Sequence, residues 1–150
     1  MAATHFTLIS DWHFDAPVAR VWDLIERTEA WPRWWRAVQR VEVLREGASD
    51  ELGRTIRITW KTALPYTLTF DVETVRVEQH REIEGRALGE LDGRGIWTFN
   101  TEEEGGCHVR YLWRVEVTRR WMRLLAPLLR AVFAWNHNKV MAWGLAGARA

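Results

Sequence analysis

The side chains in this sequence that could support metal chemistry are few and widely spaced. The five histidines are His5, His13, His80, His108 and His137. No two of them are four residues apart, as the ligands of a helical zinc site would be, and only one cysteine accompanies them. The sequence therefore predicts no zinc or iron site and no cofactor.

Groups suited to acid–base chemistry are also scarce. Tyr66 and Tyr111 carry hydroxyls that could bind or protonate a substrate oxygen. Arg57, Arg86 or Arg114 could hold a carboxylate or an enolate if β-bulges turned them toward the interior. No catalytic set can be assigned from these residues, so the catalytic residues stay unknown.

Two polar residues lie within the apolar C-terminal segment, Arg119 to Gly147. Asn136 falls near the centre of its apolar face, where an unmet buried amide would cost about 1–3 kcal/mol. Asn136 is therefore either a core residue bonded to a strand or water, or a polar anchor for a ligand. His137 lies just outside this face, either as a packing residue or as a group that titrates near neutral pH.

The same segment reads as one long amphipathic helix. At about 100° per residue, one face carries Trp121, Leu125, Leu128, Leu129, Val132, Val140 and Trp143. Opposite them lie Arg123, Arg130, Asn138 and Met141. Pro127 removes a backbone donor inside the helix and should bend it or split it into two segments.

The remainder of the chain alternates as strands, with two short helices near the start. His5 to Phe14 has one mostly apolar face, and helices are expected at Val18 to Arg27 and Ala30 to Val38. The further strands are expected at Gln39 to Arg45, Arg54 to Thr62, Tyr66 to Val77, Arg81 to Leu88, Ile96 to Thr101 and Val109 to Val117. A change of parity near Thr74 and Val75 indicates a bulge, and Leu91-Asp92-Gly93 is predicted as a turn.

This order of elements predicts an α+β fold in a single domain, residues 1–150. Short connections between consecutive strands imply one antiparallel sheet of about seven strands. A single long helix cannot cover so many strands if the sheet is flat, so the sheet must curl around the helix and enclose volume. An apolar small molecule is the expected occupant of that volume.

The eleven tryptophans leave two interpretations open, a solid aromatic core or the wall of a cavity. The second interpretation makes the aromatic faces of the strands and helices the candidate site. The predicted ligand-binding residues are Trp35, Trp60, Tyr66, Phe70, Trp97, Phe99, Tyr111, Trp113, Leu129, Phe133, Asn136, His137 and Val140.

The charge is unevenly distributed. The net charge is +1, but the segment from Arg119 onward has five Arg, one Lys and no acidic residue. This basic helix either docks on the acidic body, serves as a route for an anionic ligand, or makes transient contact with an anionic membrane. No nucleic-acid partner is expected. The lone Cys107 and the lack of a signal-like N-terminus predict a cytoplasmic location.

Three sequence stretches carry a resemblance to a known superfamily. They are DAPVARVWDLI (Asp15 to Ile25), WPRWW (Trp31 to Trp35) and WNHNKVM (Trp135 to Met141). The chain resembles the SRPBCC/START-like helix-grip superfamily, and within it the bacterial polyketide cyclase/dehydrase and lipid-transport group. The resemblance implies binding or transport of a lipid, fatty acid, isoprenoid or aromatic polyketide between sheet and helix. The alternative that it implies is an aromatase/cyclase or dehydratase working by general acid–base chemistry.

Overall fold

The structure is a computed structural model that describes residues 5–62, 65, 67–89, 91–117 and 120–149. Within the C-terminal helix, the described side chains are those of residues 131, 132 and 134–149. Tyr66 and the side chains of Leu129 and Phe133 therefore lie outside the described part of the chain. Their predicted contact with a ligand stays a prediction.

Seven strands and a long C-terminal helix make up the fold. The strands are β1 (His5–Phe14), β2 (Val38–Arg45), β3 (Thr55–Lys61), β4 (Thr67–Glu78), β5 (Glu82–Gly89), β6 (Leu91–Thr101) and β7 (Cys107–Val117), and the helices are α1 (Val18–Glu26), α2 (Trp31–Trp34) and α3 (Arg120–Arg149). The strand order is β1-β7-β6-β5-β4-β3-β2, with every neighbouring pair antiparallel. The predicted α+β class, with a curved antiparallel sheet, a long C-terminal helix and two short helices after β1, is confirmed.

Alternation along the strands decides which face of the sheet is buried. In β1, Phe6, Trp12 and Phe14 are buried, whereas Thr7 and Ile9 between them are exposed. The paired strand β7 repeats the pattern, because buried Trp113 lies opposite Leu8 and buried Val115 lies opposite Phe6. The hydrophobic period of two therefore places one continuous apolar face toward the interior.

The predicted bulge in β4 is confirmed. The register against β5 shifts between Thr74 and Arg76, and Val75 between them is exposed. The extra residue increases the local bend of the strand. It also returns Val77 to the interior side, where it packs against the core.

The predicted turn at Leu91-Asp92-Gly93 is wrong, because β6 already begins at Leu91. The chain reverses earlier, at Gly89, whose φ of 126° suits glycine alone. Gly93 lies within β6, where a Cβ would stand 2.1 Å from the backbone oxygen of Arg114 on β7. This glycine therefore marks a close approach of two strands rather than a turn.

The second short helix is shorter than predicted. The sequence favours a helix from Ala30 to Val38, but α2 ends at Trp34, and a 3₁₀ turn, Thr28–Ala30, precedes it. Trp35 has left the helical conformation, with φ −105° and ψ 103°. In that position its indole N–H donates to the backbone oxygen of Val140 on α3, at 2.8 Å. A tertiary contact thus overrides the helical spacing.

The buried face of α3 is rotated from the predicted one. Met141 was expected to face outward but is only 4% exposed, and Val132 was expected to face inward but is 37% exposed. The helix is also one continuous element through Pro127 rather than two segments. Gly144 explains the rotation, because a Cβ there would lie 2.6 Å from Trp35 Cε2 and 2.9 Å from Trp12 Cη2. The side of α3 that faces the core is therefore set by the small residue at position 144, which allows close contact with Trp35 and Trp12, rather than by the positions of the bulky apolar residues.

We expect Gly144→Ala to lower the free energy of unfolding by about 1–3 kcal/mol, the usual cost of overpacking. An alanine at an exposed helical position would instead add about 0.5–1 kcal/mol relative to glycine. The added methyl cannot be accommodated at position 144, because the Trp35 ring that it meets is held by its hydrogen bond to Val140. Urea denaturation measures the change. Ala142→Leu, at an exposed position of the same helix, is the matched control and should change stability by about 0.5 kcal/mol or less.

Candidate ligand-binding cavity

A cavity of about 210 Å³ lies between the apolar face of the sheet and the helices. The strands β1 and β3–β7 contribute to its wall, together with α1, α2 and α3. Its volume is below the roughly 300–1,000 Å³ typical of pockets for drug-sized ligands. The cavity therefore suits a small molecule of a few rings or a short chain.

Five aromatic rings line the sheet side of this cavity in an unbroken series. The Trp60 and Phe70 rings stack at 6.2 Å between centroids, and Phe70 lies 5.6 Å from Trp113. Trp113 stacks on Tyr111 at 5.9 Å, and Tyr111 lies 4.2 Å from Trp97. Such a wall offers flat, polarisable surface to a ligand ring.

Helix α3 closes the cavity with Asn136, His137, Val140 and Met141. Asn136 is buried and has an interaction partner within the protein, so its amide is not isolated. The His137 imidazole is nearly parallel to the Tyr111 ring, at 6.4 Å and 11°. Both of its ring nitrogens are buried without a hydrogen-bond partner. The imidazole thus belongs to the cavity wall, while its two nitrogens are covered by neighbouring protein atoms.

Burial keeps both His137 and Tyr111 uncharged. It lowers the pKa of His137 from its ordinary 6.5 to about 4, and it raises the pKa of Tyr111 well above its ordinary value. At neutral pH the imidazole is therefore uncharged, with one donor and one acceptor nitrogen. The phenol is likewise uncharged. Neither ring therefore places a net charge in the cavity wall.

We expect His137 to make the fold sensitive to mild acid. Because the folded pKa lies below the unfolded one, the unfolded chain binds the extra proton more tightly, and stability falls as the pH drops from 6.5 toward 4. The loss attributable to this group approaches about 3 kcal/mol below pH 4. Urea denaturation across this range should show the loss in the wild type and a smaller one in His137→Leu. A loss in His137→Leu as large as that of the wild type would contradict this prediction.

A cluster of polar residues also reaches the cavity wall, and we call Thr28, Glu29, Glu51 and Arg54 the Arg54 cluster. Arg54 lies just before β3, and its side chain is only 11% exposed. Its guanidinium donates to Thr28 Oγ1 at 2.9 Å and pairs with Glu29 and, at 3.7 Å, with Glu51 Oε2. Burial alone would raise the pKa of Glu29, but a backbone hydrogen bond and Arg54 outweigh it and lower that pKa. The cluster ties the loop before β3 to the turn after α1.

The structure brings most of the predicted site residues together on the cavity wall. Those that line it are Trp35, Trp60, Phe70, Trp97, Tyr111, Trp113, Asn136, His137 and Val140. Phe99 does not line it and packs in the core instead, 4.9 Å from the Trp22 ring. Both interpretations of the tryptophans, as core and as cavity wall, apply. Trp31, Trp35 and Trp97 are part of the core and also line the cavity.

The three arginines considered as anion ligands do not face the cavity. Arg57, Arg86 and Arg114 are all exposed on the outer side of the sheet. Arg57 pairs there with Asp71, at 2.8 Å. The one bulge of β4 does not alter the direction of Arg57 on β3 or of Arg114 on β7, so the strand alternation keeps them outside.

Sequence reasoning missed the Arg54 cluster and Met141. Arg54 had been assigned only as the first residue of a strand, and its partners Thr28 and Glu29 are 26 and 25 residues away in sequence. No local pattern connects residues so far apart. Met141 was missed because the helical wheel was centred on large apolar residues rather than on Gly144.

Clustered metal ligands and a membrane-spanning helix are both absent from the residues that the structure describes. Within the described ranges, no group of three or more His, Cys, Asp or Glu side chains is placed to hold a metal ion. In the same part of the chain, no helix combines the length and the apolar character needed to cross a membrane. Cys107 is buried, and burial raises the pKa of its thiol, which disfavours a reactive thiolate.

Solved structures similar to this one have the same architecture. The Zhui aromatase/cyclase from Streptomyces sp. R1128 matches with a TM-score of 0.79 and 15% identity, over 96% of this chain and 91% of that one. A START superfamily protein from Mycobacterium smegmatis matches with a TM-score of 0.77 and 14% identity, over 95% and 96%. A protein from Thermus thermophilus, TTHA0849, matches with a TM-score of 0.76 and 20% identity, over 95% and 97%. At these identities the likeness establishes the fold alone.

A family sequence model identifies the family to which the chain belongs. No curated protein sequence matches the chain significantly. The sequence model of one family, described as polyketide cyclase / dehydrase and lipid transport, matches residues 7–148, which is nearly the whole chain. The resemblance seen in the sequence is thereby confirmed. The chain belongs to the polyketide cyclase/dehydrase and lipid transport family.

Proposed function

We propose that the protein binds an apolar small molecule, such as a lipid, fatty acid, isoprenoid or aromatic polyketide, in the cavity between the sheet and α3. The observation that carries this proposal is the cavity wall itself. Five adjacent aromatic rings face it from β3, β4, β6 and β7, and α3 closes it. Adjacent aromatic faces of this kind make dispersion contacts with a flat apolar ligand. Among the options named, the continuous aromatic wall favours a ligand with a ring system.

The proposal is tested by titrating the delipidated protein with N-phenyl-1-naphthylamine, an uncharged dye whose fluorescence rises in apolar surroundings. We expect saturable binding of one dye per chain. Native mass spectrometry of the same sample should show the corresponding 1:1 mass. Fluorescence that rises without saturation, and no retained mass, would rule out a binding function for the cavity.

One observation favours a second function, that of a cyclase or dehydratase. Tyr111 and His137 lie side by side on the wall, and a neutral imidazole beside a phenol could serve as a base–acid pair. In a dehydration, His137 would take the proton from the carbon next to a carbonyl. Tyr111 would protonate the departing hydroxyl, which leaves as water. The low pKa of His137 makes it a weak base, so we place this function second.

The enzymatic alternative is tested with an aromatic β-hydroxyacyl thioester, by following the absorbance of the unsaturated product. Turnover that falls about a hundredfold or more in both Tyr111→Phe and His137→Leu would favour the enzyme, since general acid–base groups contribute about 10²–10⁴. Dye binding without turnover would leave the binding function alone.

A further inference from the structure

The charged groups that reach the cavity wall already compensate one another. Among the described lining residues, the charged side chains are Glu26, Glu51 and Arg54. All three guanidinium nitrogens of Arg54 are engaged, by Thr28, Glu29 and Glu51. The single positive charge thus pairs with two carboxylates, and Glu26 adds a third to the same wall, so the surplus is negative. No described cation on the wall is free to receive an anion.

The remainder of the described wall is uncharged but is not purely apolar. The indole nitrogen of Trp60 and both nitrogens of His137 are buried without a hydrogen-bond partner. All three nitrogens are covered by neighbouring protein atoms, so they add no charge to the wall. A ligand therefore meets mainly aromatic and aliphatic surface there.

A carboxylate is poorly suited to this environment. Moving an ionised group out of water is costly unless a partner of opposite charge compensates it. Here the compensating arginine is already paired, and displacing Glu29 or Glu51 from it would leave that glutamate without its partner. An uncharged hydroxyl or ester group avoids this cost of burying a charge.

We propose that the cavity selects uncharged aromatic molecules and discriminates against the same ring systems when they carry a free carboxylate. This inference rests on the proposed binding function and names its ligand class. It also narrows the candidate ligands, because free fatty acids and aromatic acids fall outside the class.

Three ligands of one ring system test the proposal. At neutral pH, 2-naphthol and methyl 2-naphthoate are uncharged, whereas 2-naphthoate is an anion of nearly the same shape as its ester. Each is used to displace N-phenyl-1-naphthylamine from the wild-type protein. We expect the naphthol and the ester to bind at least about tenfold more tightly than the carboxylate. Equal or tighter binding of the carboxylate overturns the proposal, and the ester separates charge from size.

A double variant, Glu29→Gln with Glu51→Gln, tests whether the pairing of Arg54 causes the discrimination against carboxylates. Both changes keep the shape of the side chain but remove the two carboxylates that pair with Arg54. Affinity for 2-naphthoate should rise at least about fivefold relative to the affinity for 2-naphthol. The matched control, Glu46→Gln with Glu103→Gln, removes the same charge from exposed sites outside the lining and should change neither affinity. An unchanged naphthoate affinity in the first variant overturns the role given to Arg54.

Failure of the binding function and failure of the ligand class give different results. If the dye and all three naphthalene ligands fail to bind, the proposed binding function is wrong, and this inference is wrong with it. If the dye binds and the carboxylate competes as well as the naphthol, the binding function stands and only the ligand class is wrong.

Discussion

Replacing Trp35 with alanine is expected to lower the free energy of unfolding by about 3–5 kcal/mol, the range for large aromatic residues removed from a core. Trp35 is 1% exposed, and its N–H bond to Val140 joins α3 to the segment after α2. Around it are packed the rings of Trp12, Trp31, Trp34, Trp60 and Trp97, at 5.1–6.3 Å between centroids. Removing the Trp35 ring leaves a cavity among these five rings.

Denaturation by urea measures this loss, and Trp135→Ala is its matched control. Trp135 lies on α3 but is 49% exposed, so the same change there should cost about 0.5 kcal/mol or less. A loss below about 1 kcal/mol for Trp35→Ala would mean that α3 does not depend on this contact. The position of the helix against the sheet would then need another explanation.

Filling the cavity is expected to abolish ligand binding. Val72 lines the cavity from β4, next to Gly85 on β5, where a Cβ would meet Val72 Cγ1 at 2.6 Å. Val72→Trp places an indole in this space, and we expect the affinity for N-phenyl-1-naphthylamine to fall at least about a hundredfold, equivalent to roughly 2.7 kcal/mol. Dye titration measures the effect.

The control for this prediction lies three residues further along the same strand. Val75→Trp adds the same side chain at an exposed position, so dye affinity should stay within about twofold of the wild type. Circular dichroism establishes that both variants are folded, and Leu68→Trp provides a second filled cavity if Val72→Trp is not. Wild-type affinity in a folded Val72→Trp variant would place the dye outside the cavity.

The order and kind of the elements could be predicted because each depends on a local period. The period of two in β1 and β7 fixed which residues are buried, and the change of parity at Thr74 located the bulge in β4. The turn before β6 could not be predicted. Gly93 is needed there for close approach to a strand that follows later in the sequence, and a sequence pattern does not distinguish this from a turn.

The site could be predicted only in its aromatic part. Alternation placed Trp60, Phe70, Tyr111 and Trp113 on one face, and the cavity lies on that face. The Arg54 cluster depends on contacts across 25 residues or more, so it became visible only in the structure. The rotation of α3 likewise depends on Gly144, which a hydrophobic wheel disregards.

Membrane contact through the basic helix stays a prediction. The described part of α3 places Lys139 Nζ 6.0 Å from the centroid of the Trp135 ring, on the side away from the sheet. An exposed tryptophan beside a lysine is a combination found at membrane surfaces. Co-sedimentation with anionic liposomes, weakened by salt, is the corresponding measurement.

A crystal structure of the protein grown with N-phenyl-1-naphthylamine tests the central claim most directly. If the cavity binds the dye, we expect density for one dye molecule enclosed by the sheet and α3, in contact with Trp60 and Tyr111 on one side and Val140 on the other. Density for the dye only on the outer surface, with the cavity unchanged, would contradict it.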